Sequence, residues 1–469
     1  MNLFMAVQPR DKATVAAYKD ALLQAVPIVV PFARQPHQAR IWSNEFALAA
    51  SFSIHASDVP IQDYAAETPR RFCTFNGIPL LDDNLQSAPW GSFLLHSYES
   101  GLLHPERLGG YYNLLIVDDD TVHAWNCLSR VEPLYYAENG ECAVIGNRAS
   151  LMYAVANRTA AIEYDASALI SLVTAGWLAH DRVPFKDVEL LPNGTYAVLR
   201  DGRVRLSPYK PYTFREITDL TEHQADALYD KVCEELLRGT RFFSKFAGLL
   251  RLNLSGGKDS RIMAALCVRA GINVTCVTSG GPDDRDVIVA GEVARMLDLP
   301  HEATPPQADG STVPRIDVFE QIRMHVAQSD GMTNAWDPIY PIRLKAGILL
   351  NGHCGEAFRG GYEMIREGHR PRITDVSVAA TFLRNITLRY SHVFLTLEGI
   401  RAQESMNYAL LGGFLESTFP LGHLYEYVYV VYREGRGVAN LRQGAAYGAF
   451  AFSPFLNCLL YTSPSPRDS

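Results

Sequence analysis

The sequence has no C-x-x-C pair among its eight cysteines, which are scattered from Cys73 to Cys458. That spacing excludes a zinc ribbon or a thioredoxin-type site, and scattered thiols fit a reducing compartment. An excess of positive charge is also missing. Against 43 Lys and Arg stand 51 Asp and Glu, a formal charge of −8, so no nucleic-acid partner is expected. No basic segment followed by an apolar one opens the chain, and the apolar stretch 21–33 is interrupted by Gln24, Pro27 and Pro31. It is too short to cross a bilayer. The expectation is a cytoplasmic protein with no membrane partner. Charged residues are only 20% and hydrophobic ones 48%, which excludes disorder as the main state.

What is present divides into two patterns. From about 70 to 210 short apolar runs, such as Tyr112–Val117 and Cys142–Ile145, alternate with turn clusters. Thr195–Leu199 and Val204–Leu206 flank an Asp201-Gly202 step, a hairpin signal. A helix is expected over Val15–Val26. After about 217 the period changes. Glu222–Gly239 has helical spacing, followed by an expected strand at Leu249–Leu254, helix at Asp259–Ala270, strand at Ile272–Val277 and helix at Asp286–Leu297. Alternating strands and helices imply a parallel sheet, with ligands at the carboxyl ends of its strands. The expected fold class is α/β, with an α+β half from 1 to 210 and a parallel-sheet half from 211 to 457.

The strongest motif is Leu254-Ser255-Gly256-Gly257-Lys258-Asp259-Ser260. Two glycines between a strand and a helix let the backbone approach an anion closely, and the N–H groups there form an anion nest. Ser255 and Ser260 add hydroxyl donors. Asp259 would oppose a phosphate, so its expected task is to hold Mg²⁺. The Walker spacing G-x-x-x-x-G-K-[ST] is absent. A second segment, Asn351-Gly352-His353-Cys354-Gly355-Glu356-Ala357-Phe358-Arg359, follows the apolar run 347–350. It again sets glycines, an acid and a base at a strand end.

The first motif resembles the pyrophosphate loop of ATP pyrophosphatases. The second is similar to the S-G-E-G-A-D-E-L-F-G-G-Y segment of asparagine synthetases. Weaker matches extend the likeness: Thr278-Ser279-Gly280 with Asp286 and His301, and Ser453-Pro454-Phe455-Leu456-Asn457, which is similar to P-F-L-D. In the first half, Phe75-Asn76-Gly77, Gly109-Gly110-Tyr111, Pro133-Leu134-Tyr135-Tyr136 and Leu191-Pro192-Asn193-Gly194 stand in the order of class II glutamine amidotransferase motifs. The chain thus resembles the asparagine synthetase superfamily over about 70–457, with an Ntn-hydrolase-like sandwich ahead of an ATP-pyrophosphatase domain.

The resemblance implies an ATP-dependent ligase that adenylates a carboxylate, releases pyrophosphate and joins the acyl group to an amine. It implies ATP and Mg²⁺ as cofactors, with Asp259 and Glu356 as metal ligands. Leu254, Ser255, Gly256, Gly257, Lys258, Asp259, Ser260, Thr278, Ser279, Gly352 and Arg359 would line the nucleotide. Glu356 stands where the family has Asp. His353 stands where asparagine synthetases have Glu and β-lactam synthetases have Tyr, and it reads either as a general base or as a hydrogen-bonded structural histidine. Cys354 reads as a packing residue. Asp330, Gly331, Trp336 and Asp337 read either as acceptor-cavity residues or as buried structural ones. The amidotransferase nucleophile is a cysteine at the mature N-terminus; here Asn2 follows Met1, so glutamine hydrolysis is not expected.

Lasso-peptide cyclases and β-lactam synthetases share that loss. Macrolactam formation on a ribosomal peptide, with a precursor peptide and a peptidase as partners, is therefore the first expectation. Asparagine synthesis from free ammonia or glutamine, and a non-catalytic nucleotide-binding scaffold, are the alternatives. The carboxylate substrate would be a small molecule or a peptide. Residues 458–469, opening CLLYTSPSPRD, read as a translated sequencing adapter. On that reading the authentic chain runs on past Asn457 into a lysine-bearing segment.

Overall fold

A computed structural model describes residues 2–35, 37–54, 61, 63–80, 89–209, 221–244, 246, 248–304, 317–333, 347–356, 373–388, 391–417, 420–445, 450–457 and 460. The chain opens with β1 (Asn2–Pro9) and α1 (Val15–Val29), then the hairpin β2 (Gln38–Ser43) and β3 (Leu48–Ser53). Next come β4 (Ala65–Glu67), β5 (Arg71–Leu80), α2 (Trp90–Glu99), β6 (Gly109–Asp118) and β7 (Thr121–Asn126). The first half closes with β8 (Tyr135–Glu138), β9 (Cys142–Gly146), α3 (Ala149–Ala156), α4 (Ile170–Ala175), β10 (Glu189–Leu190), β11 (Thr195–Arg200) and β12 (Arg203–Pro208).

These strands make two antiparallel six-stranded sheets, ordered β10-β8-β9-β1-β3-β2 and β12-β11-β7-β6-β5-β4. Strand periodicity decides which side chain goes where. Along β1, Phe4 and Ala6 point between the sheets and meet Phe72, Leu115 and Val117. Leu3, Met5 and Val7 point outward, under Tyr18 and Leu22 of α1 and Met152 of α3. The outer face of the second sheet, with Phe75, Leu114 and Ile116, packs on Trp90 and Leu94 of α2 and joins the core of the second half. The result is the expected α+β sandwich of helix, sheet, sheet and helix. The expected hairpin is there, with Arg200 opposite Arg203 and both Asp201 (φ 54°) and Gly202 (φ 66°) left-handed, as a type I′ turn requires.

The second half begins with α5 (Glu222–Arg241), whose start carries a capping box: Thr221 accepts from the Gln224 N–H, and the Gln224 side chain reaches back to the Thr221 N–H. Then follow β13 (Leu250–Asn253), α6 (Lys258–Arg269), β14 (Thr275–Ser279), α7 (Arg285–Met296), β15 (His301–Thr304), α8 (Val318–Ser329) and β16 (Ile348–Leu350). A helical run of α9 (Val376–Thr387), α10 (Ser391–Phe394), α11 (Leu397–Glu416) and α12 (Leu424–Tyr427) leads into a π-helix, Val428–Val438. Helix α13 (Ala439–Ala445) and β17 (Phe450–Phe452) follow.

The five strands form one parallel sheet in the order β15-β14-β13-β16-β17. The expected strand at Ile272–Val277 starts later, at Thr275. Gly271, at φ +67°, ends the preceding helix, and Ile272 and Val274 are buried while the chain crosses to the sheet. From β13 the chain builds outward to β14 and β15, then returns to the other side of β13 as β16 and β17. The order therefore reverses between β13 and β16, and a crevice at such a switch point is where open α/β sheets bind ligands.

Candidate active site

Both motifs emerge at that switch point, one from β13 and one from β16, which pair directly through Leu252 and Leu350. After β13 the chain turns through Ser255, Gly256 and Gly257, and Gly257 is the N-cap of α6. The turn is held from within. The Ser255 N–H donates to Ser260 Oγ at 3.1 Å, and the Gly257 N–H donates to Ser255 Oγ at 3.2 Å. Ser260 Oγ also lies 3.1 Å from the carbonyl oxygens of Ser255 and Gly257. The Gly256 N–H donates to Asp286 Oδ1 at 3.0 Å. So the anion nest expected from sequence is a closed turn here, with an α7 carboxylate on its middle N–H.

After β16, the Asn351 N–H donates to Phe452 O of the neighbouring strand, and Asn351 Oδ1 accepts from the His353 N–H at 3.1 Å. This Asx turn folds the segment back over α6. A Cβ on Gly352 would stand 2.6 Å from the Asp259 carbonyl carbon, and one on Gly355 would stand 2.5 Å from Asp259 Cγ. No side chain fits at either position. The two glycines let the second motif lie directly on the Asp259 carboxylate, with Glu356 next in the chain.

The third contributor is the π-helix. His353 Nε2 is 2.9 Å from Glu434 Oε2, and Glu434 is buried while the His353 side chain is 38% exposed. Ser453 Oγ donates to the His353 carbonyl at 2.6 Å and fixes its backbone. Tyr429, one turn back, donates its hydroxyl to Glu356 Oε2 at 3.3 Å. Burial first, and the facing carboxylates of Glu434 and Glu356 after it, push the Tyr429 phenol far above its ordinary value. It stays protonated and serves as a donor between acids. The polar groups thus run from His353 through Glu434 and Tyr429 to Glu356.

Thr278 Oγ1 donates to Leu254 O at 2.6 Å and lies 2.9 Å from His301 Nε2. Its single hydroxyl proton is spent on the carbonyl, so His301 Nε2 is the donor in the second bond. Thr278 therefore ties strand ends together, while Ser279 is exposed at the strand tip. Lys258 is exposed on the first turn of α6. Cys354 is buried, as a packing residue would be.

Asp330 resolves the two readings given for it. It is buried in an ion pair with Arg148 of the first half at 2.7 Å, and it accepts from Ser150 N and Oγ at 3.1 and 2.7 Å. It is structural. Arg359, Trp336 and Asp337 lie outside the described residues, as does 461–469. No sequence signal marks Glu434 or Tyr429. They lie some eighty residues beyond the second motif, in no recognisable pattern.

In the first half, Asn2 is buried and committed. Its N–H donates to Asn76 Oδ1 at 2.9 Å, its amide donates to Thr74 Oγ1 and Phe75 O at 2.8 Å each, and its Oδ1 accepts from Ser51 Oγ at 2.8 Å. Cys73 is buried with its thiol pushed well up by desolvation, which removes it as a nucleophile.

Asp259 and Glu356 are oxygen donors brought to one crevice, the donor chemistry Mg²⁺ takes when phosphates complete its shell. Among the described residues, no cluster of three or more His, Cys, Asp or Glu is placed to hold a metal without such help. Nor is any helix among them long and apolar enough to cross a membrane.

No protein-family model matches the sequence, and no curated protein matches it. Among solved structures, the chain is similar to glutamine phosphoribosylpyrophosphate amidotransferase from B. subtilis, complexed with ADP and GMP. The identity is 10% and the TM-score 0.29, over 76% of this chain and 77% of that one. It is similar to an allosteric regulatory enzyme of purine biosynthesis at 11% identity and a TM-score of 0.30, over 86% and 91%. The NH3-dependent NAD synthetase from Campylobacter jejuni, in complex with nitrate, gives 13% and 0.19, over 41% and 97%. Likenesses at these scores carry no argument about function, which has to be read from the chain's own residues.

Proposed function

We propose that this chain is an AMP-forming amide ligase, which uses ATP to activate a carboxylate and then joins it to an amine. The observation that carries the reading is the junction of two glycine turns at the switch point. It sets Asp259 under Gly355 and places the His353–Glu434 pair beside them. The α6 loop and helix start suit a polyphosphate once Asp286 gives up the Gly256 N–H. Asp259 and Glu356 would hold Mg²⁺, which supplies charge neutralisation at the phosphates.

In the first step a carboxylate oxygen attacks the α-phosphorus. The α–β phosphoanhydride bond breaks, and pyrophosphate leaves. In the second the amine attacks the acyl carbon, the bond to the AMP oxygen breaks, and the amine gives up a proton. His353 is the group to take it. With Nε2–H donated to the buried Glu434 carboxylate, Nδ1 is the basic nitrogen, and the carboxylate stabilises the imidazolium. Asn2 is tied up in its own hydrogen-bond network, and on this reading the amine comes from solution or from the substrate itself.

The test is AMP release with hydroxylamine as a trap for the activated acyl group. L-Aspartate with ammonium is one substrate set, and peptides bearing a free α-amine and an Asp or Glu side chain are the other. Carboxylate-dependent AMP and hydroxamate, both lost in Asp259→Ala, are expected. Turnover with the peptides alone supports macrolactam formation, and turnover with aspartate supports asparagine synthesis. Release of ADP overturns the AMP-forming reading, and nucleotide binding with no turnover in either set leaves a scaffold.

A further inference from the structure

The π-helix Val428–Val438 is eleven residues long, whereas π-winding usually lasts a single turn and gathers at functional sites. Its consequence is a matter of register. Tyr429 and Glu434 are five residues apart, and in an α-helix that spacing would turn them about 140° away from each other. Winding with i→i+5 bonds brings them close to one face, and there they meet Glu356 and His353.

The π-helix is gripped from the first half of the chain. Arg130 is fully buried. Its Nη2 donates to the carbonyl of Val431 at 3.1 Å, in the middle of the π-helix, while its Nη1 pairs with Asp181 at 2.8 Å. A side chain that captures a helix carbonyl perturbs the i→i−4 ladder, a recognised source of irregular winding. One turn on, Arg436 is also fully buried. It points the other way, giving Nε to His180 O at 3.1 Å and Nη2 to Arg182 O at 2.8 Å. Tyr432 reaches Asp181 from the same side at 3.4 Å. A Cβ on Gly435 would come within 3.0 Å of Ser129 O, so the helix backbone lies against the first half here. One face of the π-helix serves the site, and the other is held by residues 129–130 and 180–182.

We propose that Arg130 and Arg436 are positioning residues, which fix the π-winding of Val428–Val438 on its first-half face, one reaching into the helix and one out of it, and thereby hold Glu434 on His353 Nε2 and Tyr429 on Glu356. The first half is the jig on which the site of the second half is aligned. The importance of this for catalysis rests on the ligase reading, but the alignment itself does not.

The experiment therefore reads alignment without substrate. The full chain is labelled with ¹⁵N-histidine, and the His353 ring signals are assigned by their loss in His353→Gln. At about pH 8.5, where ordinary imidazoles are neutral, His353 should show one tautomer with Nε2 protonated. Glu434→Leu, which removes the acceptor, should abolish that signature. Arg130→Met and Arg436→Met, each remote from His353, should do the same and leave the His301 signals in place. Should either variant fail to fold, Arg436→Lys and Tyr432→Phe are the milder pair, with a mixture of tautomers expected.

Wild-type His353 signals in Arg130→Met and Arg436→Met, or in the milder pair, overturn the proposal. A mixed tautomer already present in the wild type overturns it too. Release of His353 by these variants in a chain that makes no AMP would keep the alignment and discard the ligase. In a chain that does make AMP, the yield of amide relative to hydroxamate should fall at least tenfold in Arg130→Met.

Discussion

The backbone of Gly355 lies so close to Asp259 that a Cβ there would stand 2.5 Å from Cγ and 2.7 Å from Oδ1. The two strand-end motifs are therefore one object, and a methyl group is enough to part them. Gly355→Ala should lower ATP-dependent AMP release at least tenfold. Its cost to folding should stay near the 1–3 kcal/mol of an overpacked site. Nucleotide turnover and thermal melting on the same sample check this. Unchanged turnover would mean the carboxylate does not work from where it lies.

His353→Gln keeps a polar side chain of similar reach and removes the base. Activation of the carboxylate does not need that base, and neither does hydroxylamine, which is already a free base near neutral pH; an amine that arrives protonated does. Hydroxamate formation should stay within about twofold of wild type, while amide formation should fall about 10²-fold, the lower end for a general base. Equal loss of both products would make His353 a structural histidine, the other reading its sequence position allowed.

Much of this architecture is legible in the residues themselves. Asp201-Gly202 between alternating runs marks the β11–β12 hairpin, and the helical period of Glu222–Gly239 marks α5. The two glycine motifs mark the strand ends β13 and β16. These are local signals, set by turn chemistry and side-chain period. What stays hidden is what depends on long-range contact. Nothing in VYVVYREGRGV announces a π-helix, because the winding follows from Arg130, some three hundred residues earlier, taking the Val431 carbonyl. The roles of Tyr429 and Glu434 are hidden with it. Asp330 has two readings in the sequence because only Arg148, far away in the first half, decides between them.

That Arg148–Asp330 pair has both side chains buried, at 2% and 3% exposure. The Arg148 guanidinium also caps the end of α8 through Gln328 O at 3.1 Å and Ala327 O at 2.6 Å. Arg148→Met leaves a buried carboxylate without its cation and should cost about 3–5 kcal/mol. Adding Asp330→Asn removes the orphaned charge, and Asn tolerates the left-handed backbone at that position (φ 56°). The double variant should regain at least about 1 kcal/mol of the loss. Urea unfolding of Arg148→Met, Asp330→Asn and the double variant decides it, and additive losses would show that the pair is not coupled.

His180, which offers its carbonyl to Arg436, is buried, and its imidazole is pulled down to about 4, first by desolvation and then by the Arg436 charge. The native ring therefore stays neutral where an unfolded histidine, with an ordinary value of about 6.5, takes up a proton. Below that value the unfolded state binds the extra proton, so stability is intact above about pH 6.5 and is lost as pH falls toward 4. Between pH 7 and pH 5 this one group should remove about 2 kcal/mol. Urea unfolding at the two pH values should show His180→Gln losing about 2 kcal/mol less than wild type over that interval. Equal losses would mean the ring is protonated in the native state. The clamp that aligns the π-helix would then tolerate a second buried cation beside Arg436, contrary to the packing around it.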